Sequence, residues 1–446
     1  MVILLLTMIS PPFVSSLSYI MLFGKRGLIT HSLLHLTWNP YGWWGIIMMQ
    51  VLSNTSLASL ILIGSFINID NNTINASLDL GASKNHTLFK IIFPLGLPGI
   101  ISAGLITFVK CLSDFGTPII IGGNFEVLAT EAYLNIIGRG NFPKASAMSV
   151  LIFIPALLAF AAYKYFMKNT NSISSFINKG KDEEGYILDN NIKNIVIIVT
   201  GFFLLIMVLQ YVSIFMSSFS IYKGKHIEFT LKYIQSFIKY NKLDSFLRSI
   251  KYGLIVGIIG SFLGIILSYI IERKEIRYGG LIDFIITLPY IIPGSFFGIG
   301  YILAFNHYPV YITGTSAIVV INCIYRQLPI STRAGSSIVN NINIDIENAA
   351  SDLGASRLHI LKDIILPLLK PAFLIGFINN FTATMTTVGA IIFIISPRAK
   401  VATVEMFNAI RDGDYGVGAV FASLIIICTL IINLSFSKII LNKRED

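Results

Sequence analysis

Charge is scarce in this chain. Asp, Glu, Lys and Arg make up 13% of its 446 residues, against roughly 25% in soluble domains. This excludes a water-soluble enzyme of ordinary kind, which needs more polar surface, and a disordered chain, which needs more still. Cysteine is scarcer. Cys111, Cys323 and Cys428 lie singly in or near apolar runs, so neither a disulfide framework nor a paired-cysteine metal site is expected. The histidines (31, 35, 86, 226, 307 and 359) are scattered. His31 and His35 share a helical spacing, but two ligands make a poor metal site. No metal site is expected. There is no G-x-x-x-x-G-K-[ST] phosphate loop, no dinucleotide fingerprint and no nucleophile–base arrangement. The chain is therefore not expected to hydrolyse ATP, to bind a cofactor or to act as an enzyme. The run from Met1 to about Phe23 also lacks the basic start of a signal peptide.

What is present is apolar. Hydrophobic residues reach 54%, and mean hydropathy is +0.74. Such a chain must face lipid or itself, as a polytopic membrane protein does. Its net charge of +10 sits in short stretches between apolar runs, which suits anionic lipid head groups rather than nucleic acid. A spanning helix needs about 20 mostly apolar residues. Ten candidates follow: about 2–23, 44–67, 96–122, 146–167, 194–218, 249–271, 280–304, 313–335, 371–396 and 416–441. The charged stretch 169–194, with Lys179, Lys181, Asp182, Glu183 and Glu184, reads as a linker between a first half, 1–168, and a second, 195–446. Within 219–248, Phe229, Leu231, Tyr233, Ile234, Phe237 and Ile238 predict a short amphipathic helix at the interface.

One segment occurs twice. Residues 75–98 read NASLDLGASKNHTLFKIIFPLGLP and residues 348–371 read NAASDLGASRLHILKDIILPLLKP. The offset from Asn75 to Asn348 is 273, and 14 of 24 positions are identical without a gap. Each copy follows an apolar run and precedes two more, so each half has the order helix, helix, polar segment, helix, helix. The second half carries two additional helices in front, and by symmetry the first half is expected to lack two.

The repeated segment predicts a short helical hairpin at the membrane surface. Gly81 and Gly354 supply the φ > 0 turn that ends a first helix. Ser83 and Ser356 then cap a second. Ala355, Leu358, Leu361 and Ile365 are expected to form its apolar face, as are Leu88 and Ile92 in the first copy. Pro94 and Pro367 mark its end.

At these residues the chain resembles the permeases of binding-protein-dependent ABC importers. Their EAA loop reads roughly Glu-Ala-Ala, three residues, Gly, nine residues, Ile, one residue, Leu-Pro. Ala349, Ala350, Gly354, Ile364 or Ile365, Leu366 and Pro367 fill the second copy, and Ala76, Gly81, Ile91 or Ile92 and Pro94 the first. The family's Glu is replaced by Asn75 and Asn348, with Glu347 beside the latter; Ser77 replaces an Ala and Phe93 a Leu. The resemblance implies an all-α polytopic transmembrane helix bundle of two pseudo-symmetric halves, with twelve helices in a complete member. It implies a multi-pass protein of the cell inner membrane with cytoplasmic termini, a cytoplasmic ABC ATPase dimer as partner, and an extracytoplasmic binding protein that delivers substrate. Loop residues Asn75, Ala76, Asp79, Gly81, Ala82, Ser83 and Pro94 would couple one half to the ATPase. Glu347, Asn348, Ala349, Ala350, Asp352, Gly354, Ala355, Ser356 and Pro367 would couple the other.

Two fused halves resemble the iron(III)-type importers and their relatives for thiamine, polyamines and aminoethylphosphonate. The stretches Ser113–Pro118, Gly122–Phe125 and Met385–Phe393 look iron(III)-like. Iron(III) is accordingly the expected cargo; the alternative class is a secondary transporter with repeated halves. Ionisable and polar residues inside spans point to a translocation path. The candidates are Lys110, Ser113 and Asp114 in one half, with Lys110 and Asp114 spaced to pair on one helix face, and Thr384, Thr386 and Thr387 in the other. Asn379, Asn380 and Thr382 belong to the same polar run, for which helix packing is an equal reading. Arg326 and Arg333 are expected near the cytoplasmic end of their helix, snorkelling to the surface.

Overall fold

In a computed structural model, the structure describes residues 11–25, 27–36, 39–67, 69–174, 189–223, 226–273, 279–397 and 399–442. Among these, six helices are long and apolar enough to cross a membrane: Trp43–Phe66, Lys84–Leu112, Phe142–Tyr163, Asn190–Ser218, Lys242–Arg273 and Tyr415–Lys438. The helices Gly279–Ile291 and Gly294–Phe305, joined across a sharp bend, form a broken seventh candidate. Three of the ten expected spans fall outside this set. The run from Met1 is described only from Pro11, as the helix Pro12–Phe23. Ser316–Val339 is long enough at 24 residues but carries Arg326 and Arg333. Lys370–Thr386 has 17 residues. Most of the expected linker, 175–188, lies outside the described residues.

Two runs expected to be continuous are broken. The run 96–122 stops at Leu112, and a short helix resumes at Gly116–Ile121. The cause is Asp114, whose Oδ1 accepts the amide protons of Gly116 at 3.0 Å and Thr117 at 3.1 Å. A carboxylate so used starts a new helix rather than continuing the old one. The run 371–396 likewise stops at Thr386, turns extended at Thr387, and resumes at Ile391–Ile394. Here the Thr403 hydroxyl donates to the Thr387 carbonyl at 2.8 Å, satisfying a group the helix no longer pairs.

The chain divides into two compact units. One holds Ser18–Glu131 and Val150–Ile214; the other holds Ala132–Ser149 and Phe215–Asp446, with the segment that ends at Leu17. In the first unit, Trp43–Phe66 packs along Phe93–Leu112. Gly96 lets the Phe66 ring approach the backbone, and Gly99 does so for Ser65. Tyr19, Met49 and Ile121 form a buried cluster beside them, and the Tyr19 hydroxyl donates to the Pro40 carbonyl at 3.0 Å.

The second unit is centred on three helices, Lys242–Arg273, Ser316–Val339 and Lys370–Thr386. Glycines 253 and 257 admit the rings of Phe381 and Phe377 against the first helix. Asn380, fully buried, joins all three. Its amide nitrogen donates to Ser261 Oγ at 3.1 Å, and its oxygen accepts from Ser331 Oγ at 3.0 Å. Small residues and interhelical amide bonds of this kind hold helices together where the solvent is lipid and apolar burial gives little drive.

Two antiparallel ribbons add to the expected all-α fold: Ser220–Lys223 with His226–Phe229, and Asn306–His307 with Val310–Tyr311. The predicted amphipathic helix is present at Lys232–Lys239, carrying Tyr233, Ile234, Phe237 and Ile238; Leu231 precedes it as N-cap, and Phe229 belongs to the ribbon instead. It lies against its own unit: Phe237 is buried edge-on to the Phe421 ring at 4.8 Å, and Gly416 makes room for the Tyr233 ring. Burial pushes the Tyr233 phenol up from its ordinary pKa, and the nearby Asp414 adds to the rise.

Candidate functional site

The duplicated segment folds the same way twice. Asp70 caps the helix Asn71–Asp79 by accepting the Asn72 amide proton at 3.1 Å. Asn343, 273 residues on, caps Ile344–Asp352 by accepting that of Asp345 at 3.0 Å. Each helix ends on a left-handed glycine, Gly81 at φ 86° and Gly354 at φ 87°. The closing bonds match pairwise. Ala82 N–H donates to Ser77 O and Gly81 N–H to Leu78 O; Ala355 N–H donates to Ala350 O and Gly354 N–H to Ser351 O. These are the two bonds of a Schellman motif, and glycine adopts its φ without a steric cost. Ser83 Oγ then accepts from the His86 amide at 3.3 Å, and Ser356 Oγ from the His359 amide at 3.4 Å, starting the second arm.

The second arms differ from the expected regular helix. Leu88–Ile92 and Ile360–Ile365 are π-helical. Phe93 N–H reaches back five residues to Leu88 O, and Leu366 N–H to Leu361 O. The widened turns directly precede Pro94 and Pro367, whose rings crowd the carbonyl four residues earlier and lack the donor to pair it. This shifts the apolar face. Leu358, expected on that face, is 72% exposed, whereas Ile360 is buried beside Ile365. In the first copy Ile92 is buried as expected, with Leu88 half-buried.

The clasp between the arms uses different chemistry in each copy. In the first, the buried hydroxyls of Ser77 and Thr87 meet at 2.9 Å. The same two positions in the second are Ala350 and Ile360, which join an apolar cluster with Ile265, Val339 and Leu369.

Most of the predicted loop residues face outward. Asn75, Ala76, Asp79, Gly81, Ser83 and Pro94 are exposed, as are Asn348, Ala349, Asp352, Gly354, Ser356 and Pro367; Ala82, Ala350 and Ala355 are half-buried. Glu347 is different. It turns toward its own unit, with Oε1 3.0 Å from Arg273 Nε and Oε2 accepting from the Tyr269 hydroxyl at 2.8 Å. Arg273 also donates to the carbonyls of Val339, at 3.1 Å, and Ile342. Sequence reasoning missed the two most exposed apolar residues here. Leu80 is 88% and Leu353 89% exposed, each at a hairpin tip just before the glycine. The available signal was an identical Leu-Gly-Ala-Ser in both copies.

The predicted path residues fall in two sets, one in each unit. Lys110 lies on an exposed side of its helix and forms no ion pair with Asp114, which serves the amides of Gly116 and Thr117 instead. Ser113, Thr384 and Thr386 return their hydroxyls to Val109 O, Asn380 O and Thr382 O of their own helices. Thr384 and Thr387 line a narrow crevice with Asn322, Cys323, Arg326 and Gln327. Arg326 is thus not at the helix end. It sits midway along Ser316–Val339, with a buried Nη1. Arg333 does reach the surface and pairs with Asp283 at 2.9 Å. Among the described residues, no three His, Cys, Asp or Glu side chains come together as a metal site.

Repeated helix–hairpin–helix units in a largely apolar chain define a duplicated, multi-pass membrane protein that presents two equivalent surface projections. Residues 1–172 and 260–442 match the family described as the binding-protein-dependent transport system inner membrane component, and the chain belongs to that family. It is an inner-membrane transport subunit rather than an enzyme. It is similar to the ferric transport system permease protein FbpB of Actinobacillus pleuropneumoniae, at 31% identity over 99% of this chain and 65% of that protein. It is also similar to the putative ferric transport system permease protein FbpB 1 of Haemophilus influenzae, at 31% identity over 92% of this chain and 69% of that protein. This chain therefore spans about two thirds of the length of these relatives. A putative 2-aminoethylphosphonate transport system permease protein, PhnV of Salmonella typhimurium, is 25% identical over 47% of this chain and 80% of that protein.

Proposed function

We propose that the chain is the membrane permease of an ATP-driven importer, and that ferric iron, handed over by an extracytoplasmic binding protein, is its cargo. The two hairpins are the docking elements for a cytoplasmic ATPase dimer, one per half, and both chain termini lie on that side. Halves 1–168 and 195–446 flank the linker. ATP binding closes the ATPase pair, the hairpins follow, and the halves rock between inward- and outward-open states around the cargo.

The observation that carries this reading is the pair of exposed leucines at matching tips. An apolar side chain held almost wholly in water on an ordered turn contributes nothing to folding, and two such residues at equivalent positions suit apolar pockets on a symmetric partner. Asn75, Ala76 and Asp79, with Asn348, Ala349 and Asp352, form the polar surround. The experiment is ferric uptake by the reconstituted permease, ATPase and binding protein. Uptake should require ATP hydrolysis and fall at least tenfold in the double variant Leu80→Asp, Leu353→Asp. ATP-independent uptake driven by an ion gradient would replace this reading with a secondary transporter.

A further inference from the structure

Arg326 carries a permanent charge into the middle of a helix bundle, and among the described residues no carboxylate pairs with it. It is ten residues from the start of Ser316–Val339 and thirteen from its end, or roughly 15–20 Å from either at 1.5 Å per residue. Its Nη1 is buried and unpartnered; the Phe297 ring lies 5.9 Å away, the backbones of Gly294 and Gly389 pack against it, and the titratable groups beside it are the Tyr301 phenol and the Cys323 thiol, both ordinarily neutral. The crevice it lines, with Asn322, Cys323, Gln327, Thr384 and Thr387, contains no carboxylate. An ionised group at such depth is costly unless paired, so the missing partner is a specific question about this site.

Three further observations converge. Asn322 is 1% exposed, and neither polar atom of its amide has a hydrogen-bond partner beyond the weak Cys323 thiol beside it. Gly294, against which the guanidinium packs, is the first residue of the Gly294–Phe305 helix, whose amino end carries a partial positive charge. Ser295, next in sequence, is 1% exposed with an unpartnered hydroxyl. The guanidinium fork, the Asn322 amide nitrogen, the Ser295 hydroxyl and the helix amino end can all donate, while the equally unpartnered Asn322 Oδ1 can only accept; a cation would be repelled by the guanidinium and the helix end.

We infer that Arg326, Asn322, Ser295 and the amino end of the Gly294–Phe305 helix form a binding site for a small oxyanion of the phosphate or carbonate type. A helix amino end beside a guanidinium is a recurrent anion cradle. The crevice is too narrow in this conformation to admit even a water molecule, so occupancy requires its walls to part, as a site used during a transport cycle does. Taken with the proposed ferric cargo, on which this clause alone depends, the metal crosses with an oxyanion attached. A bare trivalent cation would meet the guanidinium unscreened, whereas its oxyanion complex presents the charge the site lacks.

The test uses the purified full chain in nanodiscs, with unfolding temperature followed against sodium phosphate at ionic strength matched with sodium chloride. Phosphate should raise the wild-type unfolding temperature by several degrees. Arg326→Gln should abolish the rise. Arg326→Lys, which keeps the charge but not the fork, should weaken half-saturation about tenfold, and serves if the glutamine variant does not insert. Asn322→Leu should weaken it too, without changing charge. No wild-type shift, or an equal shift in the Arg326 variants, overturns the site. A parallel uptake assay with radiolabelled phosphate, with and without ferric iron, separates the sources. Label that enters only with iron identifies the metal's ligand; label that enters alone identifies an oxyanion cargo. Absence of iron uptake in every condition would remove the ferric reading while leaving the phosphate shift intact.

Discussion

Arg273 Nε lies 3.0 Å from Glu347 Oε1, so the last residue of the helix Lys242–Arg273 is tied to the first arm of the second hairpin. Both side chains are 14% exposed, which spares the pair most of the solvent screening that weakens surface ion pairs. In the first copy the position of Glu347 is taken by Ile74, which is buried. At this one position the second hairpin holds an ion pair where the first holds a buried isoleucine.

Breaking that tie should loosen coupling before it harms folding. Glu347→Gln retains an acceptor for Tyr269 but loses the ion pair. ATP-dependent uptake should fall several-fold with membrane insertion unchanged. Arg273→Met should cost about 3 kcal/mol of stability, as removal of one member of a largely buried pair does. The double variant should cost less than the sum of the singles. A thermal-unfolding double-mutant cycle measures the difference, and strict additivity would show that the two side chains act independently.

The glycine turns should tolerate asparagine and reject branched residues. No atom lies within 4 Å of a Cβ built at Gly81 or Gly354, so the penalty comes only from backbone conformation. Gly→Val at both positions should cost about 1–2 kcal/mol per turn and abolish coupled uptake, while Gly→Asn retains most of it. Unchanged uptake in the double valine variant would rule out these turns as the coupling elements.

The tip leucines should separate docking from stability. Leu80→Ser and Leu353→Ser remove almost no buried contact, so unfolding should shift by no more than about 0.5 kcal/mol. Co-purification of the ATPase with the permease should nevertheless drop, further in the double variant than in either single one. Full retention of the ATPase by the double variant would place docking elsewhere.

The two clasps should be interchangeable only as pairs. Ser77→Ala strands the buried Thr87 hydroxyl and should cost about 1–3 kcal/mol. Ser77→Ala with Thr87→Ile recreates the apolar pair of the second copy and should recover much of that loss. Thermal unfolding reads both, and a double variant no better than the worse single would show that the positions do not cooperate.

The hairpins were legible because each step rests on a residue with one dominant local preference: Gly81 and Gly354 for positive φ, Ser83 and Ser356 for capping, Pro94 and Pro367 for ending a turn. The repeat then doubled every signal. What hydropathy could not show is how an apolar run is interrupted. Asp114 breaks one by capping the helix at Gly116, a use of its carboxylate that periodicity cannot distinguish from pairing with Lys110. The shift of the buried face to Ile360 arises from a π-helical turn, which moves side chains off the regular helical spacing. Leu353 was hidden for the opposite reason, since a leucine in a periodic segment reads as core. The depth of Arg326 depends on Gly294 and Gly389, residues more than thirty positions away that leave space for its guanidinium.

The close approach of Phe377 and Phe381 to glycines 257 and 253, with Asn380 bonded to Ser261 and Ser331, has a mechanical meaning. Three helices whose backbones are locked by rings and amides have no free direction in which to slide past one another. The second hairpin is rooted in this trio through Leu369 and Ala372 at its exit and through Glu347 at its entry. Under the proposed docking, a push on Leu353 would be delivered as a turning of the whole trio, like force on the handle of a lever, rather than absorbed as bending of a loop.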